Sequence, residues 1–143
     1  MRLTEAGPDD RPRIEGLLRA AELPTGDLDS SPVRLFVGRD DGRVVGVGGV
    51  ERYGTDALLR SVAVPGALRG AGHGTAIYRG IEARARGAGV ERLYLLTTTA
   101  EAFFADLGFE VVAREEAPEA IRETTEFREL CSDAATCMRK VVA

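Results

Sequence analysis

The stretch with the most chemical content is Val62-Ala63-Val64-Pro65-Gly66-Ala67-Leu68-Arg69-Gly70-Ala71-Gly72-His73-Gly74-Thr75. Its apolar start reads as a strand and the residues from Thr75 onward as a helix, so the glycines fall in the connection. Glycine lets the backbone approach a ligand closely and turn successive N–H groups into one hollow. Those donors lie at the positive end of a helix, where an anion is favoured. Arg69 can add charge-assisted hydrogen bonds. The chemistry predicted is the binding of a phosphate or pyrophosphate. A Walker A loop is excluded, because it ends in Gly-Lys-Ser/Thr and no lysine occurs here. A dinucleotide fingerprint fits less well, given the glycine spacing and the antiparallel strands that precede the loop. His73, the only histidine, reads as a backbone-donor position whose ring faces solvent or the phosphates, with a catalytic base as the lesser reading.

The elements that must hold this loop follow from periodicity and turn chemistry. Arg2 to Ala6 reads as a short strand. Asp10 to Glu22 reads as an amphipathic helix, with Ile14, Leu17, Leu18 and Ala21 at helical spacing. Asp27 to Pro32 is a loop or short helix. Val33 to Gly38, Val44 to Tyr53 and Ala57 to Val64 read as strands, joined by the turns Asp40-Asp41-Gly42 and Gly54-Thr55-Asp56. Together they form an antiparallel meander, softened at Gly46, Gly48 and Gly49. Beyond the loop, a helix is expected over Thr75 to Arg86, with Ala76, Ile77, Gly80, Ile81 and Ala85 as its inner stripe. Then come a strand over Arg92 to Leu96, a helix over Thr99 to Leu107, a strand over Phe109 to Ala113, a helical segment over Pro118 to Glu123 and a strand over Ala135 to Val142. The order predicts one α/β domain, residues 1–143, with a mixed sheet.

Composition sets the outer limits. The chain has 143 residues, a hydrophobic fraction of 44% and a formal net charge of -4, which suits one globular core. Acids are interspersed among the arginines, so no basic face points to nucleic acid. Lys140 is the only lysine. No apolar run approaches the ~20 residues of a membrane span, and the polar start from Met1 to Asp10 lacks the apolar stretch of a signal peptide. The expected location is the cytoplasm. Cys131 and Cys137 are too few for a disulfide scaffold, and two thiols without further ligands at metal-site spacing make no metal centre.

The loop resembles the coenzyme A pyrophosphate motif of the GNAT superfamily, Arg/Gln-x-x-Gly-x-Gly/Ala, with Arg69, Gly72 and Gly74 at its defining positions. Val62-Ala63-Val64-Pro65 resembles the strand end that leads into that motif. Phe103-Phe104-Ala105-Asp106-Leu107-Gly108-Phe109 is similar to the family's Phe-Tyr-x-x-Leu-Gly-Phe segment. Within the superfamily, Leu95 to Phe104 and Ala117 to Cys131 are similar to acetyltransferases associated with arsenic resistance. The resemblance covers essentially the whole chain. It implies a mostly antiparallel sheet flanked by helices, with a central V-shaped splay that binds acyl-CoA. It also implies acetyl-CoA as co-substrate without a metal, a small-molecule amine as acceptor, and a homodimer as a compatible assembly.

Particular residues inherit roles from the resemblance. Backbone amides of Val62 and Val64, with Ala63 between them, are expected to pair with the pantetheine arm as an added strand, and one such amide can polarise the thioester carbonyl. Arg69, Gly70, Ala71, Gly72, His73, Gly74 and Thr75 are expected to hold the pyrophosphate. Phe104 is expected to contact coenzyme A. Many relatives carry Tyr there, thought to protonate the departing thiolate, and Phe has no proton to give. Glu51, on the strand beside the cleft, is the first candidate for the general base, with a solvent-facing charge as the alternative. Arg60 and Ser61 lie just before Val62. Arg60 suits a substrate carboxylate or oxyanion, its alternative being an outward-facing strand residue. Two rival functions remain: a non-catalytic acyl-CoA sensor and a nucleotide-binding domain.

Overall fold

The computed structural model describes residues 1–130 and 134–143, so Cys131 lies outside the described residues. Strand-forming runs of branched and aromatic residues build a seven-stranded sheet in the order β1-β2-β3-β4-β5-β7-β6. The strands are β1 (Arg2–Glu5), β2 (Arg34–Asp40), β3 (Arg43–Tyr53), β4 (Asp56–Ala63), β5 (Arg92–Thr97), β6 (Glu110–Val111) and β7 (Thr136–Val141). The expected meander is present, with β1 to β4 pairing antiparallel in sequence. Asp41 (φ 52°) and Gly42 (φ 77°) both take the left-handed conformation that a tight β2–β3 hairpin needs.

Helices α1 (Arg11–Ala20), α2 (His73–Gly87), α3 (Glu101–Asp106) and α4 (Glu119–Arg122) complete the fold. One sheet face carries α2, through Ile77 and Ile81, and α3, through Phe104, over Phe36, Leu59, Leu93 and Met138. The other is covered in two parts. Helix α1 packs Ile14, Leu17 and Leu18 onto Leu35, Val37 and Val47. The segment after β6 packs Ile121 and Phe127 onto Leu58, Tyr94 and Cys137. The glycines of β3 serve packing: a Cβ at Gly46 would sit 2.2 Å from Ile77 Cδ1 and one at Gly48 2.5 Å from Ile81 Cδ1. Their absence lets α2 lie close on the sheet.

Several expected boundaries move. A 3-10 turn over Pro8–Asp10 leads into α1, which stops at Ala20. Beyond it Glu22 turns left-handed at φ 58°, and the Leu23 N–H returns to the Leu18 carbonyl. Helix α2 begins at His73, two residues earlier than expected, so His73 belongs to its first turn. Helix α3 starts at Glu101 because the Thr97 hydroxyl accepts the Ala100 N–H at 2.9 Å and shapes the entry. The expected strand over 109–113 shortens to Glu110–Val111, which pairs only with Arg139 and Met138. Glu126–Leu130 forms a π-helical turn, which no periodicity in the sequence indicates. Among the described residues no helix is long and apolar enough to cross a membrane, and no cluster of His, Cys, Asp or Glu is placed to hold a metal ion.

Candidate active site

The site begins where two strands part. β4 and β5 are the sheet's one parallel pair, and their register runs only through Asp56↔Arg92, Ala57↔Leu93 and Leu58↔Tyr94. Beyond Leu58, β4 continues to Ala63 while β5 continues to Thr97 beside β7. The backbone edge of β4 from Leu59 onward thus has no β5 partner, which is the geometry of a V-shaped splay. A bulge accompanies the divergence. β3 advances two residues from Val47 to Gly49 while β4 advances three from Arg60 to Ala63. Ser61 is the extra residue and sits at φ 60°, in the left-handed region a non-glycine rarely occupies. The bulge leaves Val62 on the α2 face and Ala63 on the α1 face.

At the end of β4 the chain turns through Pro65, with the Leu68 N–H bonding the Pro65 carbonyl at 2.9 Å. Arg69 Nε donates to the Val64 carbonyl at 3.3 Å and tethers the loop to the strand end. Gly70 and Gly72 both lie at φ 85°, and a Cβ at either would meet open space. Backbone conformation, with no neighbouring atom, is therefore the local reason for glycine. Gly72 is the N-cap of the 15-residue helix α2, whose first turn holds no acid. Its carbonyl takes the Ala76 N–H at 3.0 Å, the first helical bond. The amides of His73, Gly74 and Thr75 precede that bond and have no intrahelical partner. With Gly70, Ala71, Gly72 and Thr75 exposed, the arrangement is a hollow of backbone donors at a helix N-terminus, suited to an anion. Gly74 differs from Gly70 and Gly72, because a Cβ there would sit 3.3 Å from Phe103 Cζ.

That contact locates the two phenylalanines. Phe104 is buried in the core beside Phe109, with ring centroids 5.6 Å apart. Phe103 is the partly buried ring that abuts the loop, although the motif assigns the ligand contact to Phe104. Adjacent helical positions differ by about 100° in direction, and the motif alone does not say which ring turns outward.

The charged candidates on β3 and β4, Glu51 and Arg60, are both buried. Arg60 Nη1 donates to Glu51 Oε2 at 2.8 Å, and both its Nη groups donate to Asp27, the Nη2 bond to Oδ1 being 2.6 Å. Its Nε donates to Ser61 Oγ at 3.2 Å. The Tyr53 hydroxyl donates to Glu51 Oε1. Neither alternative reading of these residues holds. Glu51 is 1% exposed and Arg60 4%, so neither faces solvent. Burial works against the Arg60 charge, but the bonds to Asp27 and Glu51 outweigh it and hold the guanidinium protonated above its ordinary range. Burial, together with the Glu51 carboxylate, pushes the Tyr53 phenol well above its usual value, so it keeps its proton. Asp27 reads in the sequence only as part of a loop or short helix. It comes from the α1–β2 connection, 33 residues from Arg60.

Cys137 faces Leu58 and Tyr94, and burial pushes its thiol up to about 11, away from the thiolate range. Lys140 is tied to Glu82 at 3.1 Å and lies over the Tyr78 ring.

Solved structures share this architecture. N-acetylglutamate synthase from Neisseria gonorrhoeae, complexed with coenzyme A and N-acetyl-glutamate, superposes with a TM-score of 0.85 at 21% identity over 99% of this chain and 35% of its own. This chain thus spans about a third of the length of that synthase chain. A Mycobacterium tuberculosis protein in complex with CoA gives 0.77 at 22% identity, covering 99% of both chains. An aminoglycoside 6'-N-acetyltransferase complexed with coenzyme A gives 0.75 at 17% identity over 100% of this chain and 98% of its own. At such identities the likeness establishes the fold. No curated protein matches the sequence. The sequence model of the acetyltransferase (GNAT) family matches residues 4–109, about three quarters of the chain and the whole of the splay and glycine loop, and the protein belongs to that family.

Proposed function

We propose that this protein is an acetyl-CoA-dependent N-acetyltransferase, that residues 1–143 act as one domain, and that the acceptor is the amine of a small molecule. The observation that carries the reading is the join of an open β4 edge to a hollow of free amides at the start of α2. The hollow suits the pyrophosphate, with Arg69 and the backbone from Gly70 to Thr75 around it. The β4 edge at Val62 and Val64 suits the pantetheine amides, and it leads the thioester into the splay. Transfer needs a neutral amine. Its nitrogen forms the C–N bond at the thioester carbon while the C–S bond breaks, the thiolate leaves with the electron pair, and the amine loses one proton.

Glu51 is the candidate general base, with Arg60 and Ser61 beside it on β4. Each Glu51 oxygen already has a donor, Arg60 or Tyr53. Glu51 and Arg60 therefore suit a field-setting and positioning role, with solvent as the proton's final destination. Ser61 carries the bulge and receives Arg60 Nε, so it orients the amide that follows it. The resemblance of 95–104 and 117–131 to arsenic-resistance acetyltransferases favours an amino-acid-like toxic compound as acceptor, in the cytoplasm. The aminoglycoside and glutamate enzymes named above support a small-molecule acceptor in general terms.

A second reading, a non-catalytic acyl-CoA sensor, is favoured by Phe104, which has no proton to give, and by the fully engaged Glu51. Two measurements separate the readings. Coenzyme A, and neither NAD nor ATP, should raise the unfolding temperature. Coenzyme A release from acetyl-CoA with a panel of amines should then show turnover. Stabilisation by NAD or ATP alone would overturn the coenzyme A reading, and binding without turnover would favour the sensor.

A further inference from the structure

Two cavities differ in how their arginines are used. One, of about 520 Å³, lies where β1 ends and β2 begins and holds Arg11 and Arg34. Each is matched by an acid lining the same cavity, Arg11 by Asp29 and Arg34 by Glu5. The other, of about 430 Å³, is lined by Arg13, Arg43, Val44, Pro65, Ala67 and Leu68, with no acid among them. Both of its arginines are exposed. Among the described residues neither guanidinium has a hydrogen bond or an ion pair. The volume is in the range of small-molecule sites.

Local structure gives no reason for either arginine. Arg13 lies in the first turn of α1, which holds no acid and where the helix dipole disfavours a cation. Arg43 stands directly across the β2–β3 ladder from Asp40, yet forms no ion pair with it. From α1 and β3 the two reach one cavity, and the β4–α2 loop supplies its apolar wall. A 3-10 turn over Gly66–Leu68 shapes that wall, closed by the Leu68 N–H on the Pro65 carbonyl at 2.9 Å. Arg69 Nε, on the Val64 carbonyl, ties the next residue back to the strand end. Leu68 precedes Gly72 by four residues, so the wall lies within about 14 Å of the amide hollow.

We propose that this cavity binds a phosphomonoester carried on an apolar or planar body, the phosphate held by Arg13 and Arg43 and the body resting on Val44, Pro65 and Leu68. A phosphomonoester carries about −1.5 to −2 charge at neutral pH and three acceptor oxygens. It can engage two guanidinium forks at once, whereas the two oxygens of a carboxylate are filled by one fork. Two sources offer this chemistry. Coenzyme A bears a phosphomonoester on its ribose, beyond the pyrophosphate, and that source rests on the loop reading given above. A free aryl or nucleoside phosphate bears the same group and needs no such reading.

The test titrates phenyl phosphate, coenzyme A and 3'-dephospho-coenzyme A calorimetrically into the full chain. Arg13→Gln and Arg43→Gln are exposed substitutions and should fold as wild type does. Each should weaken phenyl phosphate binding by roughly tenfold, while Gly72→Asp, which disturbs the amide hollow, should leave it within about twofold. If coenzyme A is the source, wild type should favour it over the dephospho form by roughly tenfold, and both arginine variants should erase the preference. If a free phosphomonoester is the source, that preference should be absent, and phenyl phosphate should bind the coenzyme A complex as it binds the free chain. The proposal is overturned by a wild type that neither binds phenyl phosphate nor prefers coenzyme A. It is equally overturned by affinities unchanged within about twofold in both arginine variants, or by loss of phenyl phosphate binding in Gly72→Asp alone. Absence of any coenzyme A binding would count against the loop reading only, since phenyl phosphate is also titrated without it.

Discussion

The glycine loop and the Asp27–Arg60–Glu51 network lie at the two ends of the outer half of β4 and are assembled by opposite means. The loop is one continuous run, it works through backbone donors, and its Gly70 and Gly72 are exposed. Gly70 and Gly72 have nothing within 4 Å of a would-be Cβ. The network is made of side chains drawn from the α1–β2 connection, β3 and β4, and it is buried. A ligand site of the first kind depends on groups left unpaired, so a substitution there should damage binding before folding. A network of the second kind depends on groups already paired, so a substitution there should damage folding first.

The sharpest way to break that contrast is Arg60→Ala. It leaves Asp27 and Glu51 buried without their cation, and a buried pair broken on one side costs about 3–5 kcal/mol. Denaturant unfolding should show the loss, and a change below ~1 kcal/mol would mean that the network is not a structural element. Gly46→Ala tests the packing that holds α2, and hence the loop, against β3. Its Cβ would press on Ile77 Cδ1 and lie 3.0 Å from the Ala63 carbonyl oxygen. Overpacking of this kind costs roughly 1–3 kcal/mol. A stability gain, as an unhindered Gly→Ala can give, would show that the close approach is not needed.

The smallest effect is expected at Cys137. Its thiol ordinarily ionises near 9.0 and is raised to about 11 by burial. The folded state therefore holds the proton more tightly than the unfolded state. That stabilisation is complete below pH 9.0 and is lost as pH rises towards about 11. The stability of wild type relative to Cys137→Ser should be flat with pH below that window. It should decline within it by at most ~1.4 kcal/mol per pH unit. A relative decline beginning near neutral pH would contradict a buried, neutral thiol. Acetyl transfer should persist in Cys137→Ser, since the thiol packs against Leu58 and Tyr94 on the closed side of the V.

The loop was legible because its chemistry is local. Glycines and an arginine at fixed spacing, between an apolar run and a helical one, say what the backbone must do. The meander was legible for the same reason, through period-two runs and the Asp-Gly turn. The network was not. Asp27 lies in a stretch with no periodicity, and nothing local indicates that its carboxylate ends on an arginine 33 residues away. Glu51 and Arg60 were singled out by their strands, but whether they faced inward depended on pairing and on the bulge at Ser61. Phe103 and Phe104 show a finer limit. The motif marks both, while only packing assigns Phe104 to the core and Phe103 to the loop. The ends of β6 and α3 moved because tertiary pairing and the Thr97 hydroxyl outweighed propensity.

In the proposed function, the hollow at the start of α2 holds the coenzyme A pyrophosphate on bare backbone amides. Calorimetric titration of coenzyme A into wild type and Gly72→Asp tests it most directly. The substitution puts a carboxylate among the donors at a position whose φ of 85° disfavours any side chain. It should weaken binding by roughly a hundredfold or more, on the order of ~2.7 kcal/mol, while far-UV circular dichroism shows the fold retained. A folded Gly72→Asp protein that bound coenzyme A with wild-type affinity would contradict the account.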